Sequence, residues 1–176
     1  MKFKETKLKG LYIIEPESRI DERGYFMRTF CKEELKNHHL DFNIVQVNQT
    51  STKKGGTIRG MHFQKSPKAE DKIVQCLRGA VYDVAIDLRE DSLTYGQWIA
   101  EELTENNKKL FLIPKGFAHG FQALTDNCEL QYFMSEYYSP EYASGVRWDD
   151  PIFNIKWPIK NPALSERDKN WLLIKK

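Results

Sequence analysis

The chain is poor in the signals that mark whole classes of protein. Across 176 residues it has three cysteines, Cys31, Cys76 and Cys128. They are odd in number and far apart, with no Cys-x-x-Cys. They read as reduced or buried thiols, not as a disulfide framework or a zinc site. No apolar run reaches the roughly 20 residues of a membrane span. The start, Met1-Lys2-Phe3-Lys4-Glu5, lacks the apolar core of a signal peptide, and a cytoplasmic protein is expected. Charge of one sign is scarce too. Lys and Arg number 27 against 25 Asp and Glu, a net charge of +2. That balance does not imply nucleic-acid binding. No segment is low-complexity, no heptad is sustained, and no repeat is visible. A Gly-x-Gly-x-x-Gly dinucleotide motif is absent.

What is present is ordinary globular material, 40% hydrophobic and 30% charged, enough for one domain over 1–176 with a proper core. Short β-rich runs alternate with turns. Leu11 to Pro16 reads as a strand, Asp21-Glu22-Arg23-Gly24 as a turn, and Tyr25 to Phe30 as a strand with Phe26, Arg28 and Phe30 on one face. Lys32 to His39 predicts a short helix. Phe42 to Thr50 alternates, with Ile44, Gln46 and Asn48 on one face. Lys53-Lys54-Gly55-Gly56 is a hairpin signal. Further strands are predicted over 72–77, 80–88, 97–103 and 128–134; Leu110 to Pro114 is followed by the run Lys115 to Leu124, and a short helix is predicted near Ser165 to Asn170. Many short strands at regular spacing, with only short peripheral helices, predict an all-β barrel or jelly roll.

One stretch stands out chemically: Thr57-Ile58-Arg59-Gly60-Met61-His62-Phe63-Gln64. In an extended strand, residues two apart share a face. His62 and Gln64 then point one way, Arg59 and Met61 the other. A lone strand histidine is more often structural than catalytic. Arg59 and Gln64, however, are costly inside a barrel unless a polar ligand or network satisfies them. A small barrel lined with polar residues is a ligand pocket, and His62 is the first candidate for a catalytic base.

A second pattern, Pro114-x-Gly116-x-x-His119, resembles the second cupin motif. Metal-binding cupins carry a His-x-His pair in the first motif; here the comparable place reads His62-Phe63-Gln64. His38 and His39 fall in a polar helix, so two histidines remain where three protein ligands are usual. No metal is expected. A closer resemblance, from Leu11 to about Asp168, is to the dTDP-4-dehydrorhamnose 3,5-epimerases, the RmlC-like cupins. It is carried by Asp21-Glu22-Arg23-Gly24-Tyr25-Phe26, Gln46-x-Asn48, Ile58 to Gln64, Lys72-Ile73-Val74, Tyr82 to Arg89 and Ile113 to Phe121. Tyr137-Tyr138-Ser139-Pro140, Trp148-Asp149-Asp150-Pro151, Ile155-Lys156-Trp157-Pro158 and Leu164-Ser165-Glu166-Arg167-Asp168 continue it.

That resemblance implies a cupin jelly roll and a cofactor-free epimerisation of a nucleotide-linked 4-keto-6-deoxyhexose, most simply dTDP-linked. Such chemistry needs a base near neutrality, an acid across the pocket and a cation for the enolate oxygen. Carried over residue by residue, His62 is the base, Asp168 its orienting carboxylate, Lys72 the enolate cation and Tyr132 the acid. Asp83 is expected to partner Lys72. Arg59 and His119 are expected at the sugar or pyrophosphate, and Gln46, Asn48, Arg23 and Phe26 at the nucleotide end. In this family the N-terminal strands commonly cross to a partner, so a homodimer is implied, with Arg23 and Phe26 in the neighbour's site. Two positions depart from the family pattern: Arg28 stands where Glu is usual, and Phe133 where Lys is frequent. A single-centre 3- or 5-epimerase, a non-catalytic sugar-nucleotide-binding cupin and a metal-dependent cupin are the rival readings.

Overall fold

A computed structural model describes residues 1–174 of the chain. Thirteen strands and two short helices are present among them. A six-stranded antiparallel sheet has the order β1(Lys2–Glu5), β2(Tyr12–Glu15), β10(Leu110–Ile113), β7(Lys72–Arg78), β12(Cys128–Met134), β5(Gln46–Thr52). A five-stranded sheet has the order β13(Ala143–Gly145), β6(Ile58–Gln64), β11(Phe117–Ala123), β8(Ala80–Asp87), β9(Trp98–Thr104). The hairpin β3(Ser18–Asp21)–β4(Gly24–Met27) stands apart from both. The jelly-roll expectation holds. No helix among the described residues is long and apolar enough to cross a membrane.

Much of β7, β8, β10 and β11 is buried on both faces, which explains the near-continuous apolar reading of these strands. In β10, Phe111 and Ile113 enter the cluster between the sheets, while Leu110 and Leu112 join a second cluster on the outer face. The inner cluster includes Val74, Cys76, Ala85, Phe117, Phe121 and Leu130. Leu35 of α1(Lys32–Asn37), Phe42 and Phe133 build the outer cluster on the six-stranded sheet. Met61, Val84, Ile86, Val146 and Phe153 cover the outer face of the five-stranded sheet.

The barrel is apolar at one end and polar at the other. Inward positions along β7 run Cys76, Val74, Lys72, and along β12 Leu130, Tyr132, Met134, with Tyr132 opposite Val74 and Met134 opposite Lys72. Burial pushes the Cys76 thiol up to about 12, with smaller effects of nearby Cys128, Glu105 and Asp83 in the same direction and the Arg78 backbone bond opposing. The polar end holds the cavity described below.

Several local expectations fail for identifiable reasons. The Tyr25–Phe30 strand stops at Met27, and Phe30 turns into the outer cluster beside Phe42 and Phe133. Phe133 faces that cluster as well, away from the cavity, so the second departure from the family pattern is a packing residue of the outer face. β5 begins at Gln46, because Phe42 and Ile44 are used by the outer cluster. The helix of 32–39 ends at Asn37, before His39 with its left-handed φ of 59°. β1 and β13 are edge strands that alternation did not flag.

Candidate active site

Two connected lobes form the cavity at the polar end, about 420 and 540 Å³ in volume. Asn48, His62, Lys72, Met134 and Arg167 line both. Gln46, Glu70 and Tyr138 belong to the first lobe, Arg59, His119 and Tyr132 to the second.

β6 delivers Arg59 and His62 together, contrary to simple alternation. Opposite β11, His119 pairs with His62 but Phe121 pairs with Arg59, so three steps on β6 face two on β11. This bulge inserts one residue and brings both side chains to the same cavity. It requires close backbone approach. A Cβ on Gly60, whose φ is +146°, would lie 2.5 Å from Gly120 Cα. Met61, displaced to the outer face, is fully buried against Val84 and Ala118.

His62 is fixed by the chain's far end. Its Nε2 lies 2.6 Å from Asp168 Oδ1. Asp168 sits in α2(Glu166–Lys169), where its backbone N–H donates to the cap, Ser165 Oγ, at 3.1 Å. Its Oδ2 accepts from Gly60 N–H at 3.3 Å. Burial would raise the Asp168 carboxyl, but the His62 bond and charge, with the Gly60 and Ser165 bonds, outweigh it and hold it below the usual value.

A second histidine–carboxylate pair lies beside the first. His119 Nε2 is 2.7 Å from Asp83 Oδ1, and both side chains are buried. The expected Asp83–Lys72 partnership is thus corrected. On β8, Asp83 stands opposite Phe121 of β11 and reaches the histidine two positions along that strand. Lys72 pairs instead with Glu70, Nζ to Oε1 at 3.0 Å, two residues away on its own chain segment. Tyr132 stands edge-on to His119, ring centroids 6.2 Å apart. Burial raises its phenol well above the ordinary value; Asp83 and Cys76 add to the rise and Arg59 opposes it. The hydroxyl therefore keeps its proton at neutral pH.

The remaining predicted residues divide. Gln46 and Asn48 line the cavity and are bonded to each other, Nε2 to Oδ1 at 3.0 Å. Arg59 donates to Thr52 Oγ1 and the Ser51 carbonyl, both at 3.0 Å. Gln64 is satisfied by backbone, donating to the Lys68 and Tyr137 carbonyls and accepting from Ser139 N–H. Arg23 and Phe26 are not brought to the cavity. They sit on the exposed β3–β4 hairpin, where Arg23 pairs with Asp21 and Phe26 is 72% exposed. Arg28, close by, pairs with Glu34. Sequence reasoning gave no site role to Glu70, Tyr138 or Arg167, all of which line the cavity. Tyr138 and Arg167 lie inside motifs already read as familial, and that was the available signal. Among the described residues, no three His, Cys, Asp or Glu side chains form a metal-binding group.

Comparison with known proteins agrees with this architecture. The family model described as dTDP-4-dehydrorhamnose 3,5-epimerase matches residues 5–176. An enzyme of that name from Methanothermobacter thermautotrophicus is 46% identical over 173 residues, 97% of this chain and 92% of that protein. The crystal structure of a dTDP-4-dehydrorhamnose 3,5-epimerase from Bacillus anthracis, with TDP and PPi bound, superposes with a TM-score of 0.96 at 41% identity, covering 98% and 99% of the two chains. A 3'-monoepimerase from Streptomyces bikiniensis in complex with dTDP-quinovose superposes with a TM-score of 0.89 at 31% identity, covering 96% and 85%. A matching family model over almost the whole chain, near-complete coverage of relatives and a shared barrel place this protein among isomerases: the chain belongs to the dTDP-4-dehydrorhamnose 3,5-epimerase family.

Proposed function

We propose that the chain, acting as one domain over 1–176, inverts the carbons flanking the ketone of a dTDP-linked 4-keto-6-deoxyhexose, with His62 as base and Tyr132 as acid. One observation carries this reading. His62 stands on the five-stranded sheet, Lys72 and Tyr132 on the six-stranded sheet, and all three line one cavity.

In the proposed cycle His62 takes a proton from a carbon next to the ketone. Its Nε2 is occupied by Asp168, so Nδ1 is the nitrogen left for the substrate. The C–H electron pair becomes the enolate, whose oxygen takes the Lys72 ammonium as counter-charge. Tyr132 then gives its proton to the same carbon from the other side, and the electron pair returns to a C–H bond. Solvent reprotonates the phenolate and removes the proton from the imidazole. Oxidation state is unchanged, and no redox partner enters the balance. Asp168 orients the imidazole. Glu70 keeps Lys72 paired until the enolate forms. C3 and C5 both flank the ketone, so one set of groups serves either centre.

Arg59 and His119 are assigned to the sugar and diphosphate, where a guanidinium can hold phosphate oxygens in bidentate fashion. Gln46 and Asn48 are assigned to the nucleotide end. A cytoplasmic homodimer supplies Arg23 and Phe26 from the neighbouring copy. The exposed Ile20, Tyr25 and Phe26 of the hairpin support that assignment, because a separate apolar hairpin is costly in water. The pathway assigned is cell-surface polysaccharide synthesis.

Deuterium incorporation from heavy water into dTDP-4-keto-6-deoxyglucose tests the proposal. Label and inversion at both C3 and C5 are expected. A substrate that stays unlabelled while a known epimerase labels it rules out that substrate. The similarity to a 3'-monoepimerase supports a second reading, inversion at one centre; label confined to C3 decides for it.

A further inference from the structure

The last described turn of the chain makes a second contact with His62 that the proton-transfer scheme leaves unused. Trp171 stands edge-on to the imidazole, ring centroids 6.2 Å apart and planes at 66°. Gly145 of β13 pairs with His62 of β6, so a side chain at 145 would project beside the imidazole. The indole fills that space instead. A Cβ on Gly145 would lie 2.3 Å from Trp171 Cε2 and 2.6 Å from Nε1. On the same short segment Arg167 lies 5.1 Å from the indole centroid. The indole N–H is buried and has no hydrogen-bond partner among the described residues. Packing, not a polar bond, holds this ring.

α2 is a single turn, too short to hold itself. Its ties are the Ser165 cap, the two Asp168 bonds and, farther on, the Ile174 N–H donating to Asp150 Oδ2 at 2.8 Å. Trp171 lies between the last two.

We propose that Trp171, seated on Gly145, is a positioning residue: it clamps the α2 segment against β6 so that Asp168 stays in register with His62. This rests on the reading of His62 as base and Asp168 as its orienting carboxylate. A displacement of about 1 Å in such a constellation costs about a hundredfold in rate, so a one-turn segment that supplies an orienting group needs an anchor close to the chemistry.

The test is a mutant cycle in inversion of dTDP-4-keto-6-deoxyglucose, with kcat, KM and a melting curve for each variant. Trp171→Ala and Gly145→Ala should each lower kcat about tenfold with KM within about twofold, and Trp171→Phe should retain kcat within about threefold. The double variant should be no worse than Trp171→Ala, because removing the indole removes the clash. Unchanged kcat in folded Trp171→Ala, or additive losses in the double variant, would overturn the clamp. So would equal losses in Trp171→Phe and Trp171→Ala, which would place the role in the indole N–H. If Trp171→Ala is unfolded at the assay temperature, Trp171→Leu takes its place in the cycle. Asp168→Asn, run alongside, separates the two readings. Near-normal kcat there refutes the orienting carboxylate itself, whereas a large loss there beside an unaffected Trp171→Ala refutes only the clamp.

Discussion

Two histidine–carboxylate pairs sit side by side in this barrel, and they differ in everything except the hydrogen bond. The His62 side chain is 38% exposed and the His119 side chain 5%. Asp168 has both oxygens bonded, whereas Asp83 leaves Oδ2 buried without a partner among the described residues. The first pair joins residues 106 apart through a terminal helix turn; the second joins two neighbouring strands, residues 36 apart. A base must reach a carbon-bound proton and then exchange with solvent, which favours the exposed imidazole. The buried pair stands behind Tyr132, and the charge of Asp83 helps keep that phenol protonated. Identical side-chain chemistry is thus divided by burial into one pair suited to proton exchange and one suited to shaping the wall behind Tyr132.

The largest contrast is expected between the two imidazoles. His62→Ala should lower deuterium exchange by about a thousandfold or more, with dTDP affinity by calorimetry nearly unchanged. His119→Ala should weaken exchange less and affinity more. Equal loss of exchange in both, with affinity intact, would erase the division of roles.

Tyr132→Phe comes next. Inversion should fall by about a hundredfold, while the carbon next to the ketone still takes up deuterium with retained configuration, because the base is untouched. Loss of uptake and inversion together, read by NMR of the recovered sugar, would count against Tyr132 as the acid alone.

Asp168→Asn should reduce kcat by about a hundredfold and leave KM for the nucleotide sugar little changed. The Asp83→Asn variant should affect KM at least as strongly as kcat, since Asp83 acts on a buried wall.

The smallest effect is on stability. The Asp168 carboxyl is held below its ordinary value of 3.8. A depressed carboxyl contributes stability in full above its unfolded value, and this is lost as pH falls through the lower folded value. The melting-temperature gap between wild type and Asp168→Asn, as measured by calorimetry, should therefore narrow as pH falls below about 4. A gap that widens on acidification would contradict the sign.

Much of the barrel was legible because its strands repeat with period two and end at Gly and Pro turns. Four of them, β7, β8, β9 and β12, were placed to within a residue or two. β1 and β13 were not, since edge strands of three or four residues carry too little pattern. The Tyr25–Phe30 reading failed because aromatic alternation cannot tell a strand face from a turn into a second cluster. At the site, Lys72, Tyr132 and Asp168 came from family resemblance. No local spacing marks a lysine at a strand start or an aspartate in a tail as facing one cavity. Glu70 escaped because its pairing with Lys72 depends on where a loop enters the barrel.

Read alone, the chain carries its class, its strand periodicity and the unusual polarity of Arg59 to Gln64, because these are local properties of side-chain type and order. Tertiary structure settled which of those polar groups share a cavity. One inserted residue between His62 and Arg59 turned Arg59 inward, and the approach of Gly60 to Gly120 made room for it. Asp83 went to His119 because β8 and β11 lie side by side in the closed sheet. A hydrogen bond depends on distances between atoms far apart in the chain, and those distances exist only once both sheets have closed around them.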